Sequence, residues 1–263
     1  MANIVLAARD LELDFQGIRA LDCVSVGIEP GQLLAVVGPN GSGKTSLLNV
    51  LSGIYKPQKG SVVFCGDDIT GKKSHKVAER GIARTFQHVE LFGDVTVLDD
   101  IMLGCHKDMR GGVLACGVFW GPGRQEEAKF RKRAEGIISF LELSKYRTRL
   151  AGTLPLGLQK LVGLGRALAM QPKLILLDEP SSGMQRQEKE DLARFLLRIK
   201  RELGLPMLWV EHDINLVVDL ADRVMVLDFG RKVAEGGPDE VMNDAEVHAA
   251  YFGSTSVSAR TPA

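Results

Sequence analysis

The chain has 263 residues, 45% of them hydrophobic and 25% charged, a balance that excludes a disordered chain and allows one large core or two small ones. Its 33 basic and 33 acidic residues cancel, so no global field holds a polyanion and nucleic acid is not an expected partner. The longest apolar stretch in the middle of the chain, residues 113–120 with Gly117 inside it, falls far short of the ~20 residues that span a bilayer. Met1-Ala2-Asn3-Ile4-Val5 lacks the basic segment and apolar run of an export signal, which points to the cytoplasm. Cys23, Cys65, Cys105 and Cys116 form no C-x-x-C pair and are expected as reduced thiols used mostly in packing.

In chain order, β-rich runs at 4–8, 21–28, 33–37 and 61–64 are separated by turn signals, so the first ~70 residues read as sheet. Leu33-Leu34-Ala35-Val36-Val37 is continuously apolar, which predicts a strand buried on both faces; a Gly-rich loop and a helix over 46–51 follow it. From residue 99 to about 166 the pattern turns helical, and within 125–143 Ala128, Ala134, Ile137, Ile138 and Leu141 recur at spacings suited to one face. Strand-like runs return at 174–177, 207–210 and 224–227. Between the first two, a helix is expected to line one face with Leu192, Phe195, Leu196, Ile199 and Leu203. The two sheet portions are expected to form one α/β core. The basic clusters at 72–76 and 129–133 are flanked by Glu79, Glu126 and Glu127 and read as solvated faces. Residues 254–263 are small and polar and read as a mobile tail.

Gly38-Pro39-Asn40-Gly41-Ser42-Gly43-Lys44-Thr45 fits G-x-x-x-x-G-K-[ST] and lies between a buried strand and a helix that opens with Ser46, where a phosphate-binding loop must lie. Its glycines let backbone N–H groups curl around phosphate oxygens, Lys44 reaches the terminal phosphates, and the Thr45 hydroxyl can ligate Mg²⁺. Leu174-Ile175-Leu176-Leu177-Asp178-Glu179 is an apolar strand ending in two acids. This arrangement is expected where Asp178 holds the magnesium shell and Glu179 polarises a water.

With these motifs in order, residues from about 5 to 253 resemble the ATP-binding subunits of ABC transporters. The resemblance implies an α/β fold: a P-loop NTPase (RecA-like) core over 1–87 and 172–253, with an antiparallel β subdomain and a helical subdomain inserted at about 88–171. It also implies roles for further residues. Thr85-Phe86-Gln87 looks like the glutamine loop, placing Gln87 beside magnesium and the attacking water. Glu211-His212-Asp213 looks like the switch histidine, with His212 on the γ-phosphate. Phe15 sits where the family stacks an aromatic on adenine. The stretch 81–87, the insert around 104–127 and Ala250-Tyr251-Phe252-Gly253 are similar to the Liv-type importers, which move branched-chain amino acids and related compounds.

The family signature L-S-G-G-Q has as its counterpart Leu154-Pro155-Leu156-Gly157-Leu158, followed by Gln159; it is contributed across a dimer to the ATP of the other subunit. Pro155 offers neither hydroxyl nor N–H, Leu158 stands where Gln or Glu is usual, and Gln185 replaces the Asp or Asn of the dimer-contacting loop. The resemblance implies an ATPase subunit using ATP and Mg²⁺. It would lie on the inner face of the cell membrane against two permease subunits, paired with an identical or related ATP-binding subunit and served indirectly by a solute-binding protein. The alternative, motivated by the altered signature, is an ATP-dependent dimerising regulatory or assembly protein with weak hydrolysis.

Overall fold

The computed structural model describes residues 4–85, 94–108, 122–244 and 247. Two sheets carry the fold. Strands β1 (Leu6–Phe15) and β2 (Ile18–Ile28) form a hairpin whose two turn residues, Gln16 and Gly17, both have positive φ, the backbone that lets a two-residue turn follow the strand twist. Strand β4 (Lys59–Phe64) pairs antiparallel with β1, and the short β5 (Asp67–Asp68) pairs with β4, giving the order β2-β1-β4-β5.

The second sheet has the order β10-β9-β3-β8-β7-β6. Strands β3 (Leu33–Val37), β6 (Ile82–Thr85), β7 (Leu174–Asp178), β8 (Met207–Val210) and β9 (Arg223–Asp228) run parallel, and β10 (Arg231–Gly236) closes the edge antiparallel to β9. The two sheets match the expected α/β core with an antiparallel β subdomain. β3 leaves its sequence neighbours to join the parallel sheet, while β1, β2, β4 and β5 make a separate antiparallel layer. β3 is buried at every position, as its unbroken apolar run predicts. Leu33, Ala35 and Val37 enter one apolar cluster, and Leu34 and Val36 enter the other, so one strand links both cores.

Helices flank this frame: α1 (Lys44–Leu51) after β3, α2 (Ser74–Arg80) before β6, then α3 (Val97–Leu103), α4 (Pro122–Phe140) and α5 (Leu156–Ala169) between β6 and β7. α6 (Arg186–Leu203), α7 (Ile214–Leu220) and α8 (Pro238–Met242) follow. α6 buries Leu192, Phe195, Leu196 and Ile199 as its period predicts. Leu203 keeps the same helical spacing but is 53% exposed, since it stands in the last turn before Gly204. On α4 the buried stripe is Phe130, Ala134 and Ile138 with Leu141 beyond it; Ile137 is half-buried against the same cluster, and Ala128 is exposed rather than inward.

The basic segment on α4 is a solvated face at Lys129, Arg131 and Lys132, with Phe130 turned inward beneath the Arg133 guanidinium. Of the cysteines, Cys105 is buried, whereas Cys23 and Cys65 are exposed, against the expectation of packing. Both have left-handed backbone, Cys65 in the β4–β5 turn and Cys23 where the β1–β2 register shifts, positions that project side chains away from a core. Gln87, Cys116, most of the 104–127 insert and the 250–263 segment lie outside the described residues. Among the described residues no helix is long and apolar enough to cross a membrane.

Candidate ATP site at the strand ends

The carboxyl ends of the parallel strands, where ligands of such sheets bind, carry nearly all the predicted chemistry. The loop from Gly38 to Thr45 leaves β3 and enters α1. Gly38, Gly41 and Gly43 all have positive φ. A Cβ on Gly38 would stand 2.1 Å from Leu227 O, and one on Gly43 would stand 2.5 Å from Ala20 O, so glycine is required by space as well as by dihedral at both. Gly230 N–H donates to Ser42 O at 3.0 Å, fastening the loop to the β9–β10 turn.

Lys44 is buried, with Nζ donating to Gly38 O and Pro39 O at 2.8 Å each and lying 3.4 Å from Ser42 Oγ. Burial pushes its ammonium below the ordinary lysine value, and the Glu179 and Asp178 carboxylates pull it back up. Asn40, Gly41 and Thr45 are exposed, Pro39 and Ser46 half-buried, and Ser42 buried.

Asp178 ends β7 in register with Val210 of β8, and its carboxylate is buried. Oδ2 accepts from Arg84 Nη2 at 2.7 Å, and Arg84 Nη1 donates to Asn49 Oδ1 at 2.6 Å and Ser52 Oγ at 3.1 Å, tying β6, β7 and α1 together. Oδ1 has no hydrogen-bond partner among the described residues. A buried carboxylate oxygen left open beside a phosphate loop fits a cation. Among the described residues no three His, Cys, Asp or Glu side chains cluster as metal ligands.

Glu179 follows with φ +44°, a left-handed conformation uncommon for a non-glycine residue and often found at functional sites. Its Oε1 lies 2.5 Å from His212 Nε2, a hydrogen-bonding contact. His212 follows β8, and its N–H donates at 2.9 Å to Oε1 of the buried Glu211. Phe15 is at the end of β1, 40% exposed and edge-on to the Tyr55 ring at 5.0 Å. The predicted pieces Lys44, Asp178, Glu179 and His212 are thus gathered by three neighbouring strands.

The signature counterpart lies elsewhere, at the start of α5. Leu154 is buried, Pro155 is the N-cap, Leu156 is exposed, and Gly157 N–H donates to Glu188 Oε1 at 3.1 Å. A Cβ at Gly157 would stand 2.5 Å from that oxygen, so a larger residue there would displace the Glu188 side chain. Leu158 packs half-buried against the core, while the Gln159 amide turns back to Leu154 O at 2.8 Å and Gly152 O at 3.1 Å. An apolar side chain at 158 is therefore a packing residue. Sequence reasoning missed the parts played by Arg84, Lys160 and Glu188. An arginine at the end of a strand bound for the acidic strand ends was the one available signal.

The ABC transporter family pattern matches residues 21–182, and a second pattern, described as branched-chain amino acid ATP-binding cassette transporter, matches 231–256. The chain belongs to the ABC transporter family and is an ATPase of the ATP-binding cassette fold. It is 32% identical over 254 residues to the high-affinity branched-chain amino acid transport ATP-binding protein BraF of Pseudomonas aeruginosa, covering 96% of this chain and 99% of that one. It is 30% identical to LivG of Escherichia coli at the same coverage. An ATP-binding cassette of an ABC transporter solved in its ADP conformation superposes with a TM-score of 0.83 at 33% identity, covering 95% of this chain and 99% of that chain.

Proposed function

We propose that this chain hydrolyses MgATP to drive an importer of branched-chain amino acids or a related small polar solute. Its surroundings in this reading are two separate membrane permease subunits, a second ATP-binding subunit and, indirectly, a solute-binding protein, with the chain peripheral on the inner face of the membrane. The reading is carried by the Glu179–His212 contact at 2.5 Å, standing where the phosphate loop and the open Asp178 oxygen converge. The names of the curated relatives and the match at 231–256 support the cargo class.

In this reading the loop 38–45 binds the phosphates through its N–H groups, and Lys44 exchanges its bonds to Gly38 O and Pro39 O for the terminal phosphates. Thr45, Asp178 and Gln87 are the candidates to hold Mg²⁺, which when bound offsets charge on the phosphate oxygens. Glu179 orients the attacking water and takes its proton as general base, while His212 exchanges Glu179 for the γ-phosphate. Phe15 supplies a face for adenine. Residues 154–159 meet the nucleotide of the second subunit, where Gly157 N–H exchanges its bond to Glu188 Oε1 for a phosphate oxygen, since Pro155 has no N–H to give.

The test is Glu179→Gln in the full chain. ATP binding should persist while hydrolysis falls on the order of 10²-fold or more, the contribution of a positioned base. Undiminished turnover would remove Glu179 from its role.

A further inference from the structure

Two side chains, Lys160 of α5 and Glu188 of α6, join the N-terminal part of α5 to the segment that leaves β7. Lys160 places Nζ 2.5 Å from Ser182 O and 3.4 Å from Glu179 O. Glu188 of α6 accepts Gly157 N–H on one oxygen at 3.1 Å and Gln185 N–H on the other at 2.9 Å. The start of α5 and residues 179–188 are thus fastened at both ends of the loop. Lys160 is half-buried, surrounded by the attractive charges of Glu211, Glu179 and Glu188, which oppose the lowering of its ammonium by burial.

What Lys160 grips is backbone. The peptide oxygen of Glu179 belongs to the residue held at φ +44°, so its bond acts on where the Glu179 side chain starts rather than on the charge of its carboxylate. A cation with several donors can bridge two carbonyls that an isosteric apolar chain would leave unbridged.

We propose that Lys160 is a positioning residue for Glu179, carrying the placement of the signature segment on α5 to the general base through the carbonyls of Glu179 and Ser182. The proposal rests on the hydrolytic reading of the site. It makes hydrolysis in one subunit answer to what the same chain's signature touches, and it gives the two ends of the 154–188 segment a common displacement. Small shifts of a base are costly, since a misplacement near 1 Å can lower a rate on the order of 10²-fold.

The experiment compares wild type, Lys160→Met and Lys160→Arg as full chains, with ATP affinity, turnover and thermal midpoint measured on each. Met should leave the ATP Kd and midpoint near wild type and lower kcat by on the order of 10- to 100-fold without raising KM, and Arg should restore much of the rate. Wild-type turnover in Lys160→Met, or a loss of binding and stability in proportion to rate, overturns the proposal.

A second measurement needs no turnover. In the Glu179→Gln background with MgATP, amides at 179–185 should gain protection from hydrogen exchange when Lys160 is present and fail to gain it when it is Met. Equal protection in both overturns the proposal. Failure of the site reading shows differently, as undiminished hydrolysis in Glu179→Gln with Lys160 intact or as a wild-type chain that does not bind ATP.

Discussion

Asp178 and Arg84 form the most buried ion pair at the site, with side chains 4% and 10% exposed. Removing one partner of such a pair strands the other charge. Asp178→Ala should therefore destabilise the fold by about 3–5 kcal/mol in urea unfolding, in addition to any loss of activity. Replacing both together, Asp178→Asn with Arg84→Met, should recover part of that stability while leaving hydrolysis lost, which separates the pair's two uses. Glycines at 38 and 43 are similarly determined by neighbours far along the chain, Leu227 and Ala20, whose carbonyls close on the missing side chains.

At the scale of elements, α6 buries its apolar stripe against the parallel sheet while Arg186, Arg194 and other charged residues hold the opposite face. Phe195→Ala should cost about 3–5 kcal/mol, since a fully buried aromatic leaves a cavity, whereas Leu203→Ala on the exposed last turn should stay within about 0.5 kcal/mol. Chemical denaturation of the two variants distinguishes stripe from rim. α6 is also tied to the start of α7 by Lys189 Nζ and Asp213 Oδ2 at 2.7 Å. The Lys189 hydrogen bond, aided by N–H groups at the start of α7, holds the Asp213 carboxyl below the usual aspartate value. A carboxyl lowered in the folded state contributes stability that is present above its unfolded pKa and lost as pH falls through its folded pKa. The acid-induced loss of stability should accordingly be smaller in Lys189→Met than in wild type below about pH 4, measured by urea midpoints across that range.

For the whole molecule, the site lies where the parallel sheet, α1 and the β9–β10 turn meet, so nucleotide binding should be read by global stability. ATP with Mg²⁺ at about 100 times its Kd should add about 2.7 kcal/mol to unfolding. Lys44→Ala should abolish that increment, and chelation of Mg²⁺ should stop hydrolysis. A thermal shift retained in Lys44→Ala would mean that the nucleotide binds elsewhere. The proposed pairing of subunits is checked in the same preparations: Glu179→Gln with ATP should elute at twice the mass of the nucleotide-free chain.

The chain's local order determined what contiguous residues can build: a strand apolar at every position, a glycine loop with Lys44 and Thr45 at its end, a second strand ending in Asp178 and Glu179. Each is a run whose chemistry follows from its own spacing, so the candidate nucleotide site and the family were legible without a fold. Pairings between distant residues were not legible, because spacing carries no record of which strand lies beside which. Tertiary structure decided that β3 leaves the antiparallel layer for the parallel sheet, that Arg84 meets Asp178, and that Glu179 meets His212. It also decided that Leu158, in the signature counterpart, serves the core while Lys160 two positions later reaches the backbone of Glu179. The physical reason is burial. A buried charge or amide must find a partner, a glycine must admit a neighbour, and only the packed chain brings those neighbours within bonding distance.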